Sequence, residues 1–542
     1  MINELCELFL NVADGDTVIL EKDKTYHVRQ DDSFVLDGYF CSNSAKRDEN
    51  PTGRRYTAIY LKGKKDVTIE GNGAQILIHG KMTPFLLDEC EGITIRDLTV
   101  DYACPTMAEI TVLACEDGVY TLKINPECPF CIQADQLYWL GEKGLDGKRY
   151  WEDCYLGRYR LVVCYDPVKK ISRGMDMNSL AFETVEQLDD TTLQVRLKDR
   201  QVELPLGSVL QTRNIIRDQV GALFQRCKDL VLEKMRIKFM HGLGLVCQFC
   251  ENVTYRNCDL TPGQGRTIAS TADFFHFSGC RGKLTVEGCK SWGAQDDHMN
   301  VHGTHLQIVE KNETDRSILV RFMHPETWGL QAFEAGDEIE FIRWDTLIPY
   351  GSAKVSAFER VNDTDIRLYL DRALPAMEVG RDVVENATWT SDLYVRDCDF
   401  LQTSCRGILC TTRGEVIIEN NRFYHLRGPA LVVEDDCNFW FESGYTRHII
   451  FRNNRVIGCG YGMDTSEGIV VRYSPKVMRE DSKKAVHGKL TLTGNTFEEA
   501  VCGLHTVWLA YLQEARISGN RFAAPYQIKT HCVCCVSEAD NV

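Results

Sequence analysis

The feature that most restricts the fold of this chain is an internal repeat. Alternating apolar residues are followed by Asn, Asp or Gly, then by Asn or Cys, then by an apolar residue two positions on. Clear copies are Val253-Thr254-Tyr255-Arg256-Asn257-Cys258-Asp259-Leu260 and Leu393-Tyr394-Val395-Arg396-Asp397-Cys398-Asp399-Phe400. Others cover 416–423, 449–456, 490–497 and 515–522, with earlier versions at 67–73 and 93–98. From Cys398 through Asn421, Asn454, Asn495 and Asn520 the spacing varies between 23 and 41 residues. A unit of that size cannot bury its own apolar face, so successive units must stack and share a core. Asn at the turn tolerates the left-handed backbone and can ladder with the Asn of the next unit. Short strands in coils of twenty-odd residues, without the recurrent Leu of leucine-rich repeats, predict an all-β protein built on a right-handed parallel β-helix.

Two stretches break the repeat with longer alternating strands, such as Thr192-Leu193-Gln194-Val195-Arg196-Leu197 and Ile318-Leu319-Val320-Arg321-Phe322. They predict two inserted antiparallel β-barrel-like domains. The expected order is β-helix coils over 1–103, an insertion over 104–221, coils over 222–303, a second insertion over 304–386, and coils over 387–542. Insertions on repeat proteins tend to line the binding face.

At 542 residues, 44% hydrophobic and 26% charged, the chain is a folded protein too long for one compact core. A net charge of -16 argues against nucleic acid as a partner, because phosphate binding needs basic patches. No run of 18 apolar residues exists, so no membrane span is expected. Met1-Ile2-Asn3-Glu4-Leu5-Cys6-Glu7-Leu8 has neither a basic nor an apolar leader region. That predicts a cytoplasmic protein, or one whose leader has been removed. The 24 cysteines are scattered, many inside strand-like runs, and read as reduced, buried thiols. Cys532-Val533-Cys534-Cys535 lacks a companion pair, so no zinc site is assigned there. Open β-helix ends and edges need covering, which makes a homodimer an expectation.

The chemistry concentrates in Trp292-Gly293-Ala294-Gln295-Asp296-Asp297-His298-Met299-Asn300-Val301-His302-Gly303. Met299 and Val301 alternate with polar His298, Asn300 and His302, as in a strand with one face in the core and one in a cleft. Asp297 falls in the preceding turn, with its side chain leaning outward. Asp273 and His276 stand 24 and 26 residues before Asp297 and His302, close to one coil. Coils stack about 4.8 Å apart, so Asp273 should adjoin Asp296 and Asp297. Three carboxylates so close cannot all ionise independently, and at least one pKa should rise. A glycosidase needs that arrangement: one protonated acid for the leaving oxygen and one carboxylate to activate water. Glu434, Asp435 and Trp440 share a loop suited to sugar, with carboxylates for hydroxyls and an indole for the apolar face of a pyranose. His276, His298, Asn300 and His302, on the same side as the acids, are candidate ligands for sugar hydroxyls, as is Arg413 at the end of a strand-like run.

The 296–303 motif, Asp273, the 434–444 loop and the segment Ile78-His79-Gly80-Lys81-Met82-Thr83-Pro84-Phe85 together resemble the exo-α-1,3-galactosidases of glycoside hydrolase family 110. The resemblance covers most of the chain, including the β-helix with its two inserted domains. It implies removal of terminal α-1,3-linked galactose from oligosaccharides or glycoconjugates, as on blood-group B glycans, with inversion and without metal or other cofactor. Carried over, the family's acidic positions fall on Asp273, Asp296 and Asp297. Asp296 is the expected general acid, Asp273 and Asp297 together hold and deprotonate the water, and the two roles can be interchanged. Inversion needs acid and base roughly 6.5–9.5 Å apart. Stacked neighbours alone would not supply that distance; a side chain turned away from its coil would.

Two rivals compete with this expectation. A polysaccharide lyase also uses a parallel β-helix, but it needs Arg or Lys, often with calcium, beside its base, whereas these clusters are acidic with histidines. A non-catalytic glycan-binding β-helix has little reason to collect three carboxylates in one patch.

Overall fold

In the computed structural model, which describes residues 2–157, 160–462, 468–479 and 481–542, three long parallel sheets wind into a β-helix. The first has twelve strands, from Thr17–Ile19 to Cys535–Ala539, and the second has eleven, from Thr25–Arg29 to Arg521–Phe522. The third has eleven, from Ile59–Lys62 to Tyr526–His531, and the short strand Glu442–Ser443 pairs antiparallel with its strand Met299–Thr304. Each coil adds one strand to each sheet in matched register, for example Phe275 beside Met299 and Phe277 beside Val301. Inward positions form one continuous core that includes Phe85, Phe224, Phe275, Met299, Ile408 and Leu431, all buried. No helix among the described residues is long and apolar enough to cross a membrane.

The repeat's Asn-or-Cys position is a single column inside this core. The single thiol hydrogen of Cys258, Cys289 and Cys398 is shared between a carbonyl of the coil before, at 3.5–3.6 Å, and the carbonyl two residues back in its own coil, at 3.2–3.5 Å. From Cys398 onward the column changes chemistry. The backbone N–H of Cys398 reaches Asn421 Oδ1 at 2.9 Å, that of Asn421 reaches Asn454 Oδ1 at 2.9 Å, and that of Asn454 reaches Asn495 Oδ1 at 2.9 Å. Amide and thiol thus solve the same problem, a turn carbonyl or N–H that would otherwise be buried unpaired. All 24 cysteines are free thiols.

Strands between Met107–Glu116 and Val209–Asn214 form a seven-stranded antiparallel sheet with a three-stranded companion around its own core of Ile110, Leu122, Trp139 and Leu193. Strands from Leu306–Asn312 to Val383–Asn386 close into a six-stranded antiparallel barrel. A smaller excursion lies in the first coils, where the hairpin of Phe34–Leu36 and Arg55–Thr57 holds out the loop between them. That loop reaches both the third sheet and the barrel: Ser42 N–H donates to Gln248 Oε1 at 3.0 Å, and Trp328 Nε1–H donates to the Ala45 carbonyl at 3.0 Å. Loop, barrel and the chain leaving the first insertion therefore wall one stretch of the third sheet's outer face.

Candidate active site

The floor of this enclosure is made by one turn repeated on three coils. Phe274 N–H donates to the Asp297 carbonyl at 3.2 Å, and His298 N–H to the Arg406 carbonyl at 3.2 Å. Asp273, Asp297 and Arg406 thus occupy equivalent positions, stacked as carboxylate, carboxylate and guanidinium. Gly244 sits beneath Asp273 because a Cβ there would meet the Asp273 carbonyl at 2.4 Å.

Asp297 is fully buried, not turned outward as the sequence suggested. Its Oδ1 accepts from Arg406 Nε at 2.8 Å and from the Arg406 backbone N–H at 3.1 Å, while Oδ2 has no protein partner. Asp273 Oδ1 accepts from the Asp297 N–H at 3.3 Å, and Oδ2 lies 2.8 Å from His276 Nδ1. Asp296 is the outermost of the three, its side chain 24% exposed against 5% for Asp273 and none for Asp297. Its Oδ2 takes a 2.9 Å ion pair from Arg217 Nη2.

These surroundings separate the acids electrically. Burial, with the charge of Asp296 adding to it, pushes Asp273 up to about 8. Burial likewise pushes Asp297 up to about 7 against the pull of Arg406. Burial also acts on Asp296, but Arg217, Arg406 and Arg213 outweigh it and hold that carboxyl below the ordinary aspartate range. Oxygens of Asp296 and Asp297 and the sulfur of Cys405 come within 4.8 Å of one another, a grouping a metal could use. Arg217 and Arg406 already pair with these two side chains, and a cation added there would face two guanidiniums.

A pocket with about 470 Å³ of empty space opens over the three acids. Asn300 and Glu434 line it, together with Asp436, Trp440 and Glu442 from the loop after the strand Leu431–Val433 and Asn43 from the N-terminal excursion. Glu442 Oε1 accepts from Asn43 Nδ2 at 2.7 Å and from Asn300 Nδ2 at 3.1 Å, tying loop, excursion and floor together. The Asp436 carboxylate accepts the backbone N–H groups of Asn438, Phe439, Trp440 and Phe441 at 2.9–3.1 Å, which shapes the loop that presents Trp440. The Trp440 ring packs 4.2 Å from His324 of the barrel. Glu434 is steadied by Arg472 at 3.3 Å and Lys476 at 3.2 Å.

The structure thus brings together Asp273, Asp296, Asp297, Asn300, Glu434 and Trp440. His276 and His302, expected as sugar ligands, are instead buried just behind the floor and do not line the pocket, because they bond to Asp273, to each other and to the Gly303 carbonyl. Three further expected ligands lie elsewhere. His298 faces the core, stacked on Phe274 and bonded to Ser291 Oγ at 2.7 Å, because the turn ends at that residue and strand alternation begins only at Met299. Asp435 is buried toward His487, 3.3 Å away. Arg413 is buried between Glu340 and Glu385 of the barrel, with Tyr445 stacked on it. It fastens barrel to β-helix.

Arg217, Arg406, Asn43, Asp436 and Glu442 escaped the sequence analysis. Asp436 and Glu442 sat in the loop already singled out. Arg406 lies one coil past Asp297 once the barrel is set aside. Arg217 and Asn43 come from connections outside the repeat, where periodicity carries no signal. Arginines are present beside the acids, unlike the purely acidic and histidine clusters expected from sequence: Arg217, Arg406 and Arg213 surround Asp296, and the two facing the pocket are engaged by Asp296 and Asp297.

Three acids in a walled pocket on a parallel β-helix are what a glycoside hydrolase needs, and the relatives of this chain are glycoside hydrolases. The family model described as GLAA-B beta-barrel domain II matches residues 317–384, within the barrel. An alpha-1,3-galactosidase A of Bacteroides fragilis is 32% identical over 465 residues, covering 85% of this chain and 74% of that protein. An alpha-1,3-galactosidase A of Bacteroides thetaiotaomicron is 32% identical, with 85% and 78% covered, and an alpha-1,3-galactosidase B of the same species is 29% identical, with 83% and 72% covered. A solved exopolygalacturonase from Thermotoga maritima overlays with a TM-score of 0.35 at 12% identity, over 98% of this chain and 94% of that one. The chain belongs to the family of these galactosidases, glycoside hydrolase family 110.

Proposed function

We propose that this protein is an exo-acting glycosidase that removes terminal α-1,3-linked galactose from glycans with inversion at the anomeric carbon. Relatives named alpha-1,3-galactosidase over most of their length support the linkage. The observation that carries the mechanism is the graded depth of the three acids. In a pocket closed at its floor, a terminal sugar enters first and its glycosidic oxygen points back to the mouth. The outermost acid, Asp296, then faces the leaving oxygen and protonates it. Asp273 and Asp297, on the floor, hold the attacking water on the opposite face of the ring. The nearest oxygens of Asp296 and Asp297 are closer than an inverting acid and base require. The water therefore sits on the Asp273 side of Asp297, one coil away from Asp296.

The empty pocket stores its protons on the floor acids, while Arg217 keeps Asp296 ionised. The inventory suits hydrolysis but its placement does not. Substrate binding must transfer one proton from Asp297 to its neighbour Asp296, leaving Asp297 ionised beside Arg406. Asn300, Glu434, Glu442 and Asp436 are disposed to bind galactose hydroxyls, and Trp440 to cover an apolar sugar face.

α-Galactosyl fluoride separates the roles, because fluoride leaves without protonation. Asp296→Asn should lose about a hundredfold or more on Galα1-3Gal yet keep most of its rate on the fluoride. Asp297→Asn should lose both. Proton NMR of the first product should show β-galactose. An α-anomer, or wild-type activity in both variants, would sink the proposal.

A further inference from the structure

Behind the floor, a buried hydrogen-bond chain runs from Asp273 to the main chain. Asp273 Oδ2 lies 2.8 Å from His276 Nδ1, His276 Nε2 lies 3.1 Å from His302 Nε2, and His302 Nδ1 lies 2.7 Å from the Gly303 carbonyl oxygen. Both imidazoles are buried.

The chain has a direction. A carbonyl oxygen only accepts, so His302 Nδ1 carries the hydrogen. In a neutral imidazole the other nitrogen, His302 Nε2, is then a bare lone pair. His276 Nε2 must point its own hydrogen there, since two lone pairs at 3.1 Å would repel. His276 Nδ1 is left bare in turn and can only accept. We infer that the Gly303 carbonyl, acting through His302 and His276, pins a proton on Asp273 Oδ2, so that Asp273 rests as a neutral carboxylic acid.

Two other arrangements hold the same hydrogens: the proton moves onto His276 Nδ1, or it is relayed through His276 to His302 Nε2, and either way an imidazolium and the Asp273 carboxylate are left charged and buried. Each would put two charges where burial penalises both. The surrounding charges do not reverse this. Glu442 Oε1 is 3.8 Å from His302 Nε2 but is already held by Asn43 and Asn300. Among the groups facing His276, Glu442 and Asp296 favour its charged form and Arg217 opposes it. Burial outweighs them all, keeping His276 down at about 4 while it lifts Asp273 to about 8.

Resting on the hydrolytic role proposed above, this divides the floor pair. Asp273 turns its only hydrogen away from the pocket and offers Oδ1 as an acceptor for the water. Asp297, with a free Oδ2, takes the water's proton. His276 and His302 are positioning residues that act through Asp273.

Neutron diffraction from deuterium-exchanged crystals of the unliganded protein near neutral pD tests the proton directly and does not depend on activity. Deuterium is expected on Asp273 Oδ2, His276 Nε2 and His302 Nδ1. Deuterium on His276 Nδ1, or none on Asp273 Oδ2, would overturn the inference. The kinetic counterpart compares two substitutions. In His302→Gln the amide can still donate to the Gly303 carbonyl and accept from His276, so the pH profile should stay. In His302→Phe, His276 is free to donate to an ionised Asp273. The alkaline limb of kcat/KM should then move to lower pH by on the order of one unit, the size of one lost hydrogen bond. Equal behaviour of the two variants would count against the chain. If no galactosidase activity is found at all, the neutron result still decides where the proton lies.

Discussion

Arg217 Nη2 donates to Asp296 Oδ2 at 2.9 Å, joining the chain that leaves the first inserted domain to the acid nearest the pocket mouth. The same guanidinium reaches the Asn43 carbonyl at 3.2 Å, so one side chain couples two excursions from the β-helix to the reacting group. Arg217 also lowers Asp273. Replacing it by Gln should therefore raise both carboxyls and shift the whole kcat/KM profile to higher pH. Activity should also fall by roughly ten- to a hundredfold, the range for a lost charge-assisted hydrogen bond. Arg217→Lys keeps the charge and should leave the limbs near their wild-type positions. Matching profiles for the two variants would show that Arg217 acts by shape, not charge.

The pH dependence of the unmodified protein follows from the floor acids. The active proton inventory requires hydrogens on Asp273 and on the Asp296–Asp297 pair. Both raised groups are protonated below their folded pKa values and lose the proton above them. kcat/KM, which reports the free enzyme, should fall as pH rises through about 7 to about 8. On the acid side it should fall only below the ordinary aspartate range, where Asp296 takes up a third proton and no base remains. Initial rates at substrate concentrations far below KM, across the pH range, measure both limbs. A profile that climbs from pH 7 to pH 9 would contradict the charge states described here.

Trp440 and Arg413 separate a pocket residue from one that sequence alone suggested. Trp440→Ala should raise KM on Galα1-3Gal by roughly tenfold, as expected for loss of an aromatic face and its buried area. Arg413→Met should leave KM unchanged and lower thermal stability, because Glu340 and Glu385 lose the cation between them. A rise in KM for Arg413→Met without loss of stability would restore Arg413 as a ligand.

How much of this was legible beforehand depended on periodicity. The Asn and Cys positions announced the stacked coils, because a buried column must satisfy its turn groups identically in every coil. The 24-residue step from Asp273 to Asp297 placed two acids one above the other. Where the period was interrupted, legibility stopped. Arg406 completes the same column, but the barrel separates it from Asp297 in sequence. His298 was misassigned because alternation was extended one residue into a turn. Arg413 looked exposed because nothing in its neighbourhood announces the two glutamates that the barrel supplies.

The Asn column itself can be tested, since its role is structural and its chemistry changes along the molecule. Asn454 Oδ1 accepts the buried Asn421 N–H at 2.9 Å, and its Nδ2 donates to the Ile418 carbonyl at 2.9 Å. Asn454→Ala removes both and leaves the Asn421 N–H buried without an acceptor, at a cost of about 2 kcal/mol. Asn454→Cys should cost less, because a thiol at this position can donate to Ile418 as Cys398 does to Val286. In a solenoid each coil depends chiefly on its neighbours, so the damage should stay local. Hydrogen exchange should show roughly 30-fold weaker protection around 416–423 and 449–456 for the Ala variant, with the coils near residues 59–100 unchanged. Uniform loss of protection along the chain would mean that the β-helix opens as one cooperative unit and that the column does not set the stability of individual coils.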